Sequence, residues 1–280
     1  MRFKTFWICC GVLVAQPLLA RAGAYMWGID DSNNIIEYNP ELDTSAVVLQ
    51  TGLTAEASSN GMGFDAVNRD VFFGYGGLAP SAEKGIYVWR QGTDEVRKIA
   101  TLEELGTSSE PTNAFFHDGY YWFILDETNI LRRCRVLYDP TSAFPVGIDS
   151  PEEIFLDIPP TMINREVTGA DIALDAPRAT VYGILTTAGG LAHPVLFRVD
   201  LRNIETTNNV PLVIIDDNVE QSMQLAFDTS YETLYGVRDT NFTTIDKSTG
   251  KRTTLLLGTD GLLIRDLAGA SSTSSMATKH

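Results

Sequence analysis

Five short segments carry a polar or small residue directly before an apolar one: Gly61-Met62, Asn113-Ala114, Asp171-Ile172, Gln224-Leu225 and Asp266-Leu267. Two carboxylates and two amides at one repeated position are oxygen donors of the kind a hard cation such as calcium takes, provided the segments lie side by side. Asn113, Asp171, Gln224 and Asp266 are therefore the candidate metal ligands. A cation there would polarise a carbonyl or activate water. The competing expectation is that these groups hydrogen-bond one another or water, as buried polar groups must. No H-E-x-x-H, C-x-x-C, G-x-S-x-G or phosphate-loop pattern occurs, and His117, His193 and His280 have no marked serine partner. No catalytic residue is assigned. "GMGFDA" (61–66) matches a dinucleotide fingerprint in letters alone, because a strand runs through its glycines where that turn must open a helix.

The segments that must position this column are strands. Apolar residues at helical spacing are scarce, and short β-branched and aromatic runs recur between Gly, Asn, Asp and Pro clusters. Aligned on an aromatic followed by a small or apolar residue, the chain repeats: "YMWGIDD" (25–31), "VFFGYGG" (71–77), "YYWFILD" (120–126), "TVYGILT" (180–186) and "TLYGVRD" (233–239). Upstream of the last four stands the strand that carries the polar column; for the first, its counterpart is "LLIRDLAGA" (262–270) at the far end of the chain. Third strands follow at 34–39, 85–90, 130–136, 195–200 and 242–246, and fourth strands lie near Val47, Val96, Ile154, Leu212 and Thr253. Four antiparallel strands per unit at a long, variable period describe β-propeller blades. A chain that begins on a second strand and finishes on a first strand closes a ring by pairing its two ends. The expected fold is all-β, a five-bladed propeller closed in this way, with six blades as the alternative count.

These residues resemble a broad group of secreted β-propeller proteins, whose blades carry the pattern seen in "TLYGVRDTNFTTIDKSTGK" (233–251). The resemblance spans about 25–270 and implies a fold, since such propellers serve as lectins, scaffolds, receptor modules and lactonases. The lactonases in that group hold a central metal with acidic and amide side chains.

Residues 1–24 read as a secretory signal peptide, with a basic start, an apolar run interrupted by Gln16 and Pro17, and small residues at Ala20, Ala22 and Ala24. The chain is therefore expected to be secreted, or periplasmic in a bacterium, with one propeller domain over 25–270, a disordered tail over 271–280 and no integral membrane segment. Losing Arg2, Lys4 and Arg21 takes the net charge from −15 to −18, which repels nucleic acid. Cys9 and Cys10 leave with the signal, so Cys134 stands alone and reads as a buried strand residue in a monomer.

With many loops and little chemistry, the sequence points to a binding module for a protein or carbohydrate partner. Tyr75, Trp89 and Tyr138 are the candidate aromatic contacts. The alternative is a metal-dependent, lactonase- or esterase-like hydrolase built on the polar column. Asn241-Phe242-Thr243 is an N-glycosylation sequon if the source is eukaryotic.

Overall fold

In the computed structural model the described residues are 26–40, 44–125, 128–159, 165–166, 171–187, 193–202, 204, 209–220, 222–228, 230–238, 240–255 and 263–269. The expected signal (1–24) and tail (271–280) lie outside them.

The described chain is all-β. One antiparallel sheet runs in the order β22 (Ile264–Gly269), β1 (Met26–Asp30), β2 (Asn34–Asn39) and β3 (Thr44–Gln50), so the two ends of the chain pair, with Trp27 opposite Ala268. The next is β4 (Ser59–Asp65), β5 (Asp70–Tyr75), β6 (Gly85–Arg90) and β7 (Val96–Thr101). A third unit is β8 (Asn113–His117), β9 (Tyr120–Ile124), β10 (Ile130–Tyr138) and β12 (Glu152–Asp157). A fourth is β14 (Ile172–Asp175), β15 (Thr180–Thr187), β16 (Val195–Asp200) and β17 (Asn209–Asp216). The last sheet is β18 (Gln224–Phe227), β19 (Leu234–Arg238), β20 (Asn241–Ile245) and β21 (Arg252–Thr254).

Three features were not legible in the sequence. β12 and β17 pair in parallel, Phe155 opposite Asn209, which joins the third and fourth units into one sheet. The stretch 138–152, between the third and fourth strands of the third unit, contains β11 (Pro145–Ile148) folded back on β10. A two-residue strand, β13 (Arg165–Glu166), adds to β15.

The first strands of the units stand side by side around an axis: β4 beside β8, β8 beside β14, β14 beside β18, β18 beside β22, and β22 beside β4. Both faces of each unit are apolar, so each buries against its neighbours. Leu131, Ile154 and Trp122 of the third unit meet Val181, Phe197 and Leu212 of the fourth. At the seam between the last sheet and the first, Tyr38 stacks on Phe242 with ring centroids 4.1 Å apart. The glycine after the repeated aromatic has a packing cause: a Cβ on Gly183 would fall 2.4 Å from the Phe197 ring. Asp118 and Gly119, with φ of 50° and 81°, form the two-residue hairpin turn that joins β8 to β9 with His117 opposite Tyr120.

Strand alternation decides the fate of Cys134. It faces the second unit beside Tyr121 and Val136, is fully buried, and burial pushes its thiol up to about 12. In protein lacking residues 1–24, a thiol reagent is expected to leave Cys134 unmodified at pH 8 and to react with one thiol per chain in denaturant. Rapid labelling of the native protein would contradict this packing.

Candidate functional site

The polar column occupies one register of the first strands. Asn113 lies opposite Ile124, Gln224 opposite Val237 and Asp266 opposite Ile29, each two residues beyond the repeated aromatic; Asp171 precedes Ile172, which lies opposite Gly183. The structure brings two of the four together. Asp171 and Asp266 are fully buried, and their side chains hydrogen-bond each other although their strands belong to different units. Asp266 Oδ2 accepts the Met62 N–H at 2.7 Å and Oδ1 accepts the Leu267 N–H at 2.8 Å. Asp171 accepts the Ile172 N–H at 2.7 Å and the Leu225 N–H at 3.2 Å. Each carboxyl therefore also ties its own unit to a neighbouring first strand.

Burial raises both pKa values, that of Asp266 to about 7 and that of Asp171 well above the ordinary carboxyl range, where the Asp266 charge adds to the effect. The hydrogen bond between the two carboxyls requires that one of them keep a proton, and at both residues the backbone N–H donors oppose the rise. Tyr121, also buried, donates its hydroxyl to Gly61 O, and burial together with Asp266 holds its acidity far from neutrality. Asn113 Nδ2 donates to Thr112 Oγ1 at 2.9 Å. Asn113 Oδ1 and Gln224 Oε1 are buried and accept no hydrogen bond among the described residues. Among those residues no three His, Cys, Asp or Glu side chains gather as a metal cluster, so any cation here would depend on the two amides.

The three aromatic candidates divide. Tyr75 is fully buried beneath Thr54, whose N–H and hydroxyl meet its Oη at 3.2 and 3.0 Å. Trp89 is 3% exposed and donates Nε1 to Thr93 O. Both are core residues and the expectation that they contact a partner gives way. Their strands, β5 and β6, are covered on both faces, which the aromatic letters alone do not reveal. Tyr138 is half-buried; its hydroxyl donates to Asp65 Oδ2 at 2.9 Å and it lines a recess described next. Asn241 is exposed at the start of β20.

That recess, of about 650 Å³, opens where the apolar seam between the third and fourth units ends. In β9, Tyr120 and Trp122 share one face; in β10, Arg133 and Arg135 share the matching face, with Arg133 opposite Trp122 and Arg135 opposite Tyr120. The Arg133 guanidinium lies 4.9 Å from the Tyr120 ring and 5.2 Å from Trp122, and that of Arg135 lies 5.4 Å from Tyr120. Arg133 pairs with Glu152 at 2.8 Å, whereas Arg135 donates to Tyr120 Oη at 2.9 Å. Ala179, Leu201 and Ile204 of the fourth unit form the opposite wall. His117 and Asp118 separate this recess from a cavity of about 180 Å³ at the end of the axial channel. Burial holds His117 below the usual imidazole range. Sequence reasoning missed this site, although its signal was present: aromatics at 120 and 122 and arginines at 133 and 135, each pair spaced by two.

No family model matches the chain, and no curated protein sequence does. Among solved structures it is similar to a chain of a nidogen/laminin complex, with 12% identity, 89% of this chain and 98% of that chain covered, and a TM-score of 0.54. It is also similar to a 6-phosphogluconolactonase-like protein from Bacteroides uniformis (9% identity, 84% and 68% covered, TM-score 0.42). A third is an auxiliary nutrient binding protein from Bacteroides thetaiotaomicron (11% identity, 84% and 56% covered, TM-score 0.46). The likeness to the nidogen/laminin chain bears on the fold and, at this identity, on nothing else; with the strand order above, it makes this a β-propeller-like protein. No described helix is long and apolar enough to cross a membrane.

Proposed function

We propose that the chain is exported through residues 1–24 as a monomeric five-bladed propeller over 25–270, and that it works as a binding module for a carbohydrate or protein partner. The observation that carries this reading is the arginine–aromatic recess, a concave site of a size that holds a ligand, with two guanidiniums on one face. If the source is eukaryotic, Asn241 carries a glycan away from this recess. The test is a screen of extracellular glycans and peptides against the wild type and Tyr120→Ala. A ligand lost by the variant while its melting curve stays unchanged supports the module. Equal binding by both proteins across the whole screen defeats it.

A second reading has one observation in its favour. The buried Asn113 Oδ1 and Gln224 Oε1 share the register of the Asp171–Asp266 pair and meet no donor among the described residues, so an oxygen-ligated cation such as calcium fits the donor set, and with it a metal-dependent hydrolase. Asn113, Asp171, Gln224 and Asp266 would hold the ion, which when bound would supply Lewis-acid polarisation of a carbonyl or activation of water. Elemental analysis of the purified protein is expected, on this reading, to find one divalent ion per chain, with ester or lactone turnover lost on chelation. Metal-free protein with an unchanged melting temperature in chelator removes it.

A further inference from the structure

We infer that the recess between the third and fourth units recognises the carboxylate of an acidic sugar through Arg135; this rests on the binding-module reading. The chain is strongly acidic, with a net charge of −15, yet β10 sets two guanidiniums side by side on one face of the recess. Glu152 neutralises Arg133 directly, whereas among the described residues no carboxylate lies within ion-pair distance of the Arg135 guanidinium. Asp149 spends its Oδ1 on the Arg135 backbone N–H. The Tyr120 ring and hydroxyl hold the Arg135 plane in place, which leaves its remaining N–H donors pre-oriented for a two-point contact with a planar oxyanion.

The rest of the lining selects a sugar over an acidic peptide. Asp118, Glu152 and His117 line the recess, where they can exchange hydrogen bonds with several hydroxyls, while Leu201 and Ile204 offer an apolar wall to a ring face. A peptide rich in acidic side chains would bring its further charges against Asp118, Asp149 and Glu152 and be repelled. A volume of about 650 Å³ accommodates a short oligosaccharide and not an extended chain.

The experiment is calorimetry on the purified protein at low ionic strength with three probes: a tetrasaccharide carrying one uronic acid, its carboxyl-reduced neutral counterpart, and an Asp/Glu hexapeptide. The expected result is binding of the uronate alone, weakened at least tenfold by Arg135→Gln and by added salt. Arg97→Gln, an exposed arginine paired with Glu95, is expected to leave binding unchanged. Equal affinity for the neutral sugar, preference for the peptide, or no binding of the uronate by folded protein overturns the inference. A peptide or neutral sugar that binds and is lost in Tyr120→Ala would overturn it while leaving the binding-module reading in place. Should no ligand in either panel depend on Tyr120, both fail together.

Discussion

Removing residues 262–280 is expected to cost several kcal/mol, while removing only 271–280 leaves the melting temperature within a degree of the full chain. β22 is the first strand of the opening sheet, and its Ile264, Leu267 and Ala268 are buried. Each of the two larger side chains contributes about 2 kcal/mol by burial. The strand also supplies the pairing with β1, and the close contact of Gly269 with the Phe227 backbone seats it against β18. Asp266 leaves with it, so the Met62 N–H loses its acceptor inside the ring. At a few degrees per kcal/mol for a chain of this size, the melting temperature should fall by roughly ten degrees or more. Thermal denaturation of the two truncated proteins decides it. If the longer truncation melts with the full chain, pairing of the two ends does not hold the ring.

The second large effect is on stability against pH. In the unfolded chain Asp171 and Asp266 titrate near the ordinary carboxyl value of 3.8; in the folded protein burial raises both, Asp266 to about 7 and Asp171 further. Below the ordinary value both states are protonated and the pair costs nothing. As pH rises from 4 to 8 the unfolded chain releases protons that the folded chain retains, so stability falls, and the fall continues until the pair ionises. In chelator-treated protein, the wild type is expected to lose on the order of 3 kcal/mol more than Asp266→Asn across that range, because the variant has one fewer carboxyl to ionise. Urea unfolding of both proteins at pH 4 and 8 measures the difference. Parallel losses would mean that the buried pair does not control the slope.

Local chemistry explains how much of this protein is readable without a structure. Strand two of each unit is an aromatic–small run, strand one carries a polar residue before an apolar one, and both patterns survive in the letters because each position packs in the same environment. The pairing of 262–270 with the segment starting at Tyr25 followed from that regularity alone, and β22 lies against β1. The repeated register placed Asn113, Asp171, Gln224 and Asp266 at one level. Which of them touch depends on the radius and twist of the ring, and these are set by packing between units far apart in sequence. Among the described residues the Asp171–Asp266 contact is the one that emerges.

Exposure was decided by tertiary structure entirely. Tyr75 and Trp89 have the composition of a contact surface, but the strands that carry them are covered on both faces; Tyr120 has the same composition and stays half-buried at a recess, beside a Trp122 that is itself buried. The difference lies in the neighbour. The fourth unit covers the inner part of the β9–β10 face with Phe197 and Val199 and leaves the outer part to Leu201 and Ile204 across a gap. The sequence by itself determined the strands, their order and the polar level of the ring, because those follow from alternation and period. The tertiary structure decided which carboxyls share a proton and where the surface opens, because both depend on how separate units meet.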